Sequence, residues 1–188
     1  MKRNRWPTVS RVLLLAIMSF TTVVQADLIY QPPPGTKEDH LWREAGSLLL
    51  EGIARVFDGL AAVESTKKEL AQKHLEDGVS KLKSSSGSYV KLVEAIKLPR
   101  KVSIADLSLD QQERIKRTFD VYKVPMPEDE KALARLAINE IKRIMSFLSE
   151  NRTKVIGADL RTVQNLLSEI TRLQRIGTHS AELMLKLR

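Results

Sequence analysis

The chain has 188 residues, with 31 Lys or Arg against 23 Asp or Glu, a formal net charge of +8 and no cysteine. Without cysteine, thiol catalysis, disulfide exchange, thiolate metal sites and c-type haem attachment are excluded, and an exported form must rely on its core for stability. Aromatic residues make up only 5% of the chain and charged ones 29%, and charges at helix-like spacing suit an all-α domain.

Lys2, Arg3, Arg5 and Arg11 precede an uncharged run, 12–26, that closes on Val24, Gln25 and Ala26. A basic start, a short apolar middle and small residues at the end read as a secretory signal peptide. A membrane-spanning helix needs about 20 apolar residues, and Ser19, Thr21, Thr22 and Gln25 dilute this shorter run. Cleavage is expected after Ala26, with the periplasm as the compartment. The alternative is an uncleaved segment anchoring the protein in the inner membrane. Removing 1–26 leaves 27 basic and 23 acidic residues, in a chain long enough for one domain with a real core. The remaining basic excess lies in 98–188, which holds 17 basic and 12 acidic residues. Such an excess suits an acidic partner or an anionic membrane surface, although a solvated Lys/Arg surface is the plainer explanation.

Residues 27–35 include Pro32, Pro33 and Pro34. Prolines donate no backbone hydrogen bond and favour an extended chain, so this segment reads as a spacer or a strap laid along the body. The helical domain is expected over 36–188. Thr36 with Asp39 opens the first helix as a capping pair, and Leu41, Ala45, Leu48, Leu49, Gly52, Ile53, Val56, Leu60 and Val63 form its apolar stripe. Gly52 and Gly59 weaken a helix intrinsically, so they are expected to permit close approach of a neighbour. Thr66 and Glu69 form a second expected capping box, followed by a stripe at Leu70, Ala71, Leu75, Gly78, Val79 and Leu82. Tyr89, Leu92, Val93 and Ile96 keep that phase beyond Ser84, Ser85, Ser86 and Ser88. The sequence therefore favours one continuous helix, ended by Pro99.

Ser108 with Gln111 caps a shorter helix bearing Leu109, Ile115, Phe119 and Tyr122. Pro127 is expected at the first position of the next helix, which carries Leu133, Leu136, Ala137, Ile141, Ile144, Met145 and Leu148. A connection is expected over 151–157. The last helix carries Leu160, Val163, Leu167, Ile170, Gln174, Gly177, Ala181 and Met184. So short a connection makes the final two helices an antiparallel hairpin. The expected fold is an all-α, up-and-down antiparallel bundle of four to five helices. Leu48, Ile53, Val56, Ile141, Ile144, Val163, Leu167 and Ile170 are its expected core.

The histidines are His40, His74 and His179. None follows a glutamate at the Glu-x-x-His spacing of di-iron bundles, and the His-Glu-x-x-His motif is absent. His40 with Glu44, His74 with Asp77 and His179 with Glu182 read as surface ion pairs rather than metal sites. Met145 or Met184 with a histidine could ligate haem, but methionine on an apolar stripe is usually core filler. No phosphate loop or nucleophile elbow occurs. Arg114, Lys116, Arg117 and Lys123 are interleaved with acids, which argues against nucleic acid as a partner.

Gly59, Ala71, Leu75 and Gly78 resemble four positions of a tetratricopeptide repeat, with Arg55 where that pattern has tryptophan and Lys83 where it has proline. Residues 107–111, Leu-Ser-Leu-Asp-Gln, are similar to the Leu-Thr-x-x-Gln motif of small periplasmic stress chaperones. That resemblance implies a helical cradle for unfolded clients. The sequence reading is thus an exported binding or scaffold module for a protein partner, with no enzymatic centre, cofactor or metal. The alternatives are a chaperone-like cradle and a small haem or metal carrier. The segment 27–35 and the basic residues Arg172, Arg175, Lys186 and Arg188 are the expected contact regions.

Overall fold

The computed structural model describes residues 35–187. The expected signal peptide, its cleavage site, the proline run and Arg188 lie outside the described residues. Five α-helices follow in order: α1 (Lys37–Glu64), α2 (Lys68–Ala95), α3 (Leu109–Val121), α4 (Glu130–Ile156) and α5 (Leu160–Met184). A single 3-10 turn at Ile104–Asp106 lies between α2 and α3.

Thr36 caps α1 as its sequence predicts, its hydroxyl accepting from the Asp39 N–H at 3.2 Å. Asp39 in turn accepts from Arg43 Nε at 2.8 Å and from the Gly35 N–H at 3.2 Å. The Arg43 guanidinium holds the Asp39 carboxyl below the usual carboxylate range. Burial opposes that shift, and the Gly35 N–H reinforces it.

The second expected cap does not form. α1 runs through Glu64, leaving only Ser65, Thr66 and Lys67 to reverse the chain. Thr66 takes a left-handed φ of 60°. Its N–H donates to Val63 O at 3.0 Å, and the Lys67 N–H donates to Ala62 O at 2.9 Å. This is a Schellman termination of α1, and so tight a reversal leaves Lys67 in the capping position of α2 with no side-chain cap.

α1 and α2 then pack closely along their length. A Cβ on Gly59 would stand 2.8 Å from Leu75 Cγ, and one on Gly78 would stand 3.0 Å from the Gly52 carbonyl. The glycines therefore admit a neighbouring helix, as expected. The serine cluster does not break α2. Ser85 Oγ donates to Ala45 O at 2.7 Å across the interface, and Ser86 and Ser88 are also buried. The two helices have 28 residues each, too long for the tetratricopeptide repeat of about 34 residues.

Ser108 and Gln111 form the reciprocal capping box of α3, which accounts for residues 107–111 as a helix start. Leu109 is 77% exposed rather than buried. It lies about 120° round the helix from the buried Ile115 and about 80° from the buried Phe119. Pro127 precedes α4 instead of entering it. Residues 128–130 are drawn into extended pairing with 100–102, through Val102 N–H to Glu128 O at 2.9 Å and Glu130 N–H to Arg100 O at 3.0 Å. Asp129 consequently becomes the cap of α4. At its far end α4 continues through the expected connection to Ile156, because Val155 is fully buried. Asp159 caps α5 by accepting from the Thr162 N–H at 2.8 Å.

Cross-helix ion pairs set the directions. Glu51–Lys81 joins α1 to α2, Glu76–Arg152 joins α2 to α4, and Arg143–Glu169 joins α4 to α5. Glu76 near the start of α2 meets Arg152 near the end of α4. Elsewhere the partners advance in opposite directions along the chain, from Ala45–Ser85 to Glu51–Lys81 and from Glu140–Arg172 to Arg143–Glu169, so successive long helices run antiparallel. α2 packs on α4, α4 on α5, and α3 against α5. Seven of the eight expected core residues are buried; Leu48 is half-buried. It sits about a quarter-turn from the centre of the α1 stripe.

Candidate binding groove

The two hairpins meet mainly through α2 and α4, with α1 also reaching α4. α1 and α5 are not among the closely packed helix pairs of the described residues, and a narrow groove runs between them. Trp42, Leu49 and Leu50 of α1 form one wall, and Leu173, Gly177 and Met184 of α5 form the other. Leu136, Ala137 and Glu140 of α4 and Tyr89 of α2 line its floor, which encloses about 50 Å³. Trp42 meets Tyr89 edge-to-face, with ring centroids 5.5 Å apart. Leu49 and Leu50 are only half-buried.

The sequence carried a signal for this groove. Leu48, Leu49 and Leu50 stand in succession, and three consecutive helical residues cover about 200° of circumference. A stripe facing one core needs little more than 100°. The surplus points into the groove and not into the packed interior.

Glu140 and Ser180 are polar residues of the lining, and His179 and Glu182 lie nearby on α5. Glu140 is buried, and both its oxygens accept from Arg172, at 2.7 Å from Nε and 2.9 Å from Nη2. Ser180 lines the groove at 8% exposure, with no hydrogen-bond partner for Oγ among the described residues. His179 Nδ1 and Glu182 Oε1 lie 3.3 Å apart near the end of α5, each side chain largely covered.

Of the expected basic contact residues, not all are free at the surface. Arg172 turns inward, pairing with Glu140, donating to Tyr122 O at 2.9 Å and lying 5.2 Å over the Tyr122 ring. Glu140, acting through that hydrogen-bonded pair, raises the guanidinium pKa further. Arg175 is exposed. Lys186 is half-buried, and its carbonyl accepts from the Ser103 N–H at 3.0 Å. Arg188 lies outside the described residues. Neutralising all four would therefore disturb the fold through Arg172, contrary to the expectation of a freely exposed patch.

Of the histidines, His40 is exposed and His74 half-buried. Among the described residues, no three His, Asp or Glu side chains gather within reach of one metal ion. No described helix is long and apolar enough to cross a membrane. No family model, curated protein or solved structure matches the chain.

Proposed function

We propose that the chain is an exported binding module that holds a protein partner in the groove between α1 and α5. One observation carries this reading: two antiparallel helices stand apart over an apolar floor, with Leu49 and Leu50 half-buried between them. Inserted helices and extended segments of other polypeptides bind such grooves through a few apolar anchors. Glu140 and Ser180 add polar groups that fix register among otherwise non-directional contacts.

Export is supported by the basic residues ahead of 12–26 and by the small residues Val24 and Ala26. The proposed mature protein begins at Asp27 and works in the periplasm, with the uncleaved, membrane-held form as the alternative. Intact-mass measurement of protein from the cell envelope distinguishes the two. The groove is tested with a photo-crosslinking residue in place of Leu50 in living cells. The expected result is a covalent adduct with one defined polypeptide, lost when Leu49→Asp is added. Failure to form an adduct at this position, with capture from the opposite face of α4 instead, would overturn the reading.

A further inference from the structure

We propose that the groove takes an α-helix of the partner, seated by one uncharged, leucine-sized side chain and by a hydrogen bond to Ser180. The inference rests on the groove being the binding site and names the class of segment it accepts.

The size of the groove sets the anchor. It encloses about 50 Å³. A water-sized group needs about 10–15 Å³ of such space, so roughly three to five heavy atoms fit. That is one valine, leucine, isoleucine or methionine side chain. An aromatic ring is too large, and no stretch of backbone enters. Charge narrows the choice further. Glu140 is the only charged residue of the lining, and Arg172 holds both its oxygens. A basic anchor would find no free carboxylate, and an acidic one would be desolvated beside a carboxylate. The groove therefore matches an uncharged side chain.

Backbone chemistry sets the secondary structure of the occupant. The lining residues belong to α1, α2, α4 and α5, whose N–H and C=O groups are spent within their own helices. An extended segment pressed on Leu49, Leu50, Leu173 and Met184 would lose water from its backbone groups and gain no ladder in return. A helix brings those bonds with it and presents apolar side chains at three-four spacing to one seam. Ser180 supplies the polar contact. It lines the groove at 8% exposure, and its Oγ has no hydrogen-bond partner among the described residues. A buried hydroxyl without a bond is costly, so a polar side chain near the anchor regains what burial has taken.

The test places a photo-crosslinking residue at Leu50 or at Gln174, one on each wall, in the full chain in living cells. Adduct sites on the captured polypeptide are then mapped by mass spectrometry. The expected sites lie three, four or seven residues apart, the repeat of one helical face. Sites at alternate residues belong to an extended segment, and would overturn the helix while the binding reading stands. Ser180→Ala should weaken capture about three- to tenfold, the worth of one hydrogen bond. It should also raise the urea midpoint of the free protein, because a buried hydroxyl without a partner is removed. Any other combination of the two readings overturns the hydrogen bond.

Ala137→Leu fills the floor from within and should abolish capture with helix content unchanged. Capture that survives it overturns the anchor. Adducts with a second copy of this chain alone, or none from either wall, overturn both the helix and the binding reading.

Discussion

Arg172 Nε lies 2.7 Å from Glu140 Oε2, and the two side chains, 15% and 4% exposed, form a bidentate pair that fastens α5 to α4. The remaining Nη1 donor reaches Tyr122 O, so the same guanidinium also anchors the connection between α3 and α4. Arg172→Ala leaves a carboxylate buried without its partner, a loss of about 3–5 kcal/mol in urea unfolding. Replacing the pair together, Arg172→Met with Glu140→Leu, should recover most of that loss. Arg175→Ala, at an exposed site on the same helix, should stay within about 0.5 kcal/mol.

Two glycines of α2 should respond in opposite directions. At Gly78 an added Cβ would meet the Gly52 carbonyl and Val56 Cγ2, both at 3.0 Å. Gly78→Ala must push α1 away and should cost about 1–3 kcal/mol. Gly87 has nothing within 4 Å of an added Cβ, so Gly87→Ala should gain about 0.5–1 kcal/mol from helix propensity alone. Denaturation midpoints of the two variants should fall on either side of the parent value.

Thr66 holds its left-handed conformation despite a branched Cβ, which costs about 1–2 kcal/mol. Glycine removes that strain and loses part of the gain to greater freedom in the unfolded chain. Thr66→Gly should therefore raise stability by about 0.5–1 kcal/mol without moving the helix boundaries. Equilibrium unfolding checks the gain, and amide exchange at Lys67 checks that the termination of α1 persists.

Acid stability follows from two aspartates at helix starts, Asp39 in the first turn of α1 and the cap Asp159 of α5. Asp39 is held below the usual carboxylate range chiefly by Arg43, and Asp159 chiefly by the Thr162 hydroxyl. A depressed native pKa gives stability that is fully present above the unfolded value and is lost as pH falls through the native one. The urea midpoint should thus be insensitive to these groups near neutrality and decline below about pH 4. Asp39→Asn and Asp159→Asn should each flatten the acid limb when midpoints are measured from pH 7 downward.

Photo-crosslinking at position 50 tests function, and the four measurements above test the scaffold that positions the groove. The helices themselves were legible because apolar periodicity is a local property. Ile53, Val56, Ile141 and Ile144 recur at three-four spacing, and any burial of that stripe puts them inside. The continuity of α2 was legible for the same reason, since Tyr89 and Leu92 keep the phase set by Leu75 and Leu82. Ser108 and Gln111 are near neighbours in sequence, and their cap formed as read.

Tertiary structure decided whatever depended on a distant neighbour. Thr66 and Pro127 carry good local signals for helix starts. The tight reversal after Glu64 overrode the first, and pairing of 128–130 with 100–102 overrode the second. Arg172 looks like any basic surface residue until α4 brings Glu140 beside it, 32 residues away in the chain. The groove belongs to the same class. Its leucines show in sequence as a stripe wider than one core requires, but an unfilled seam exists only once α2 and α4 have paired and left α1 and α5 apart. Periodicity fixes which face of each helix avoids water, and only the packing of the helices on one another decides which of those faces remains uncovered.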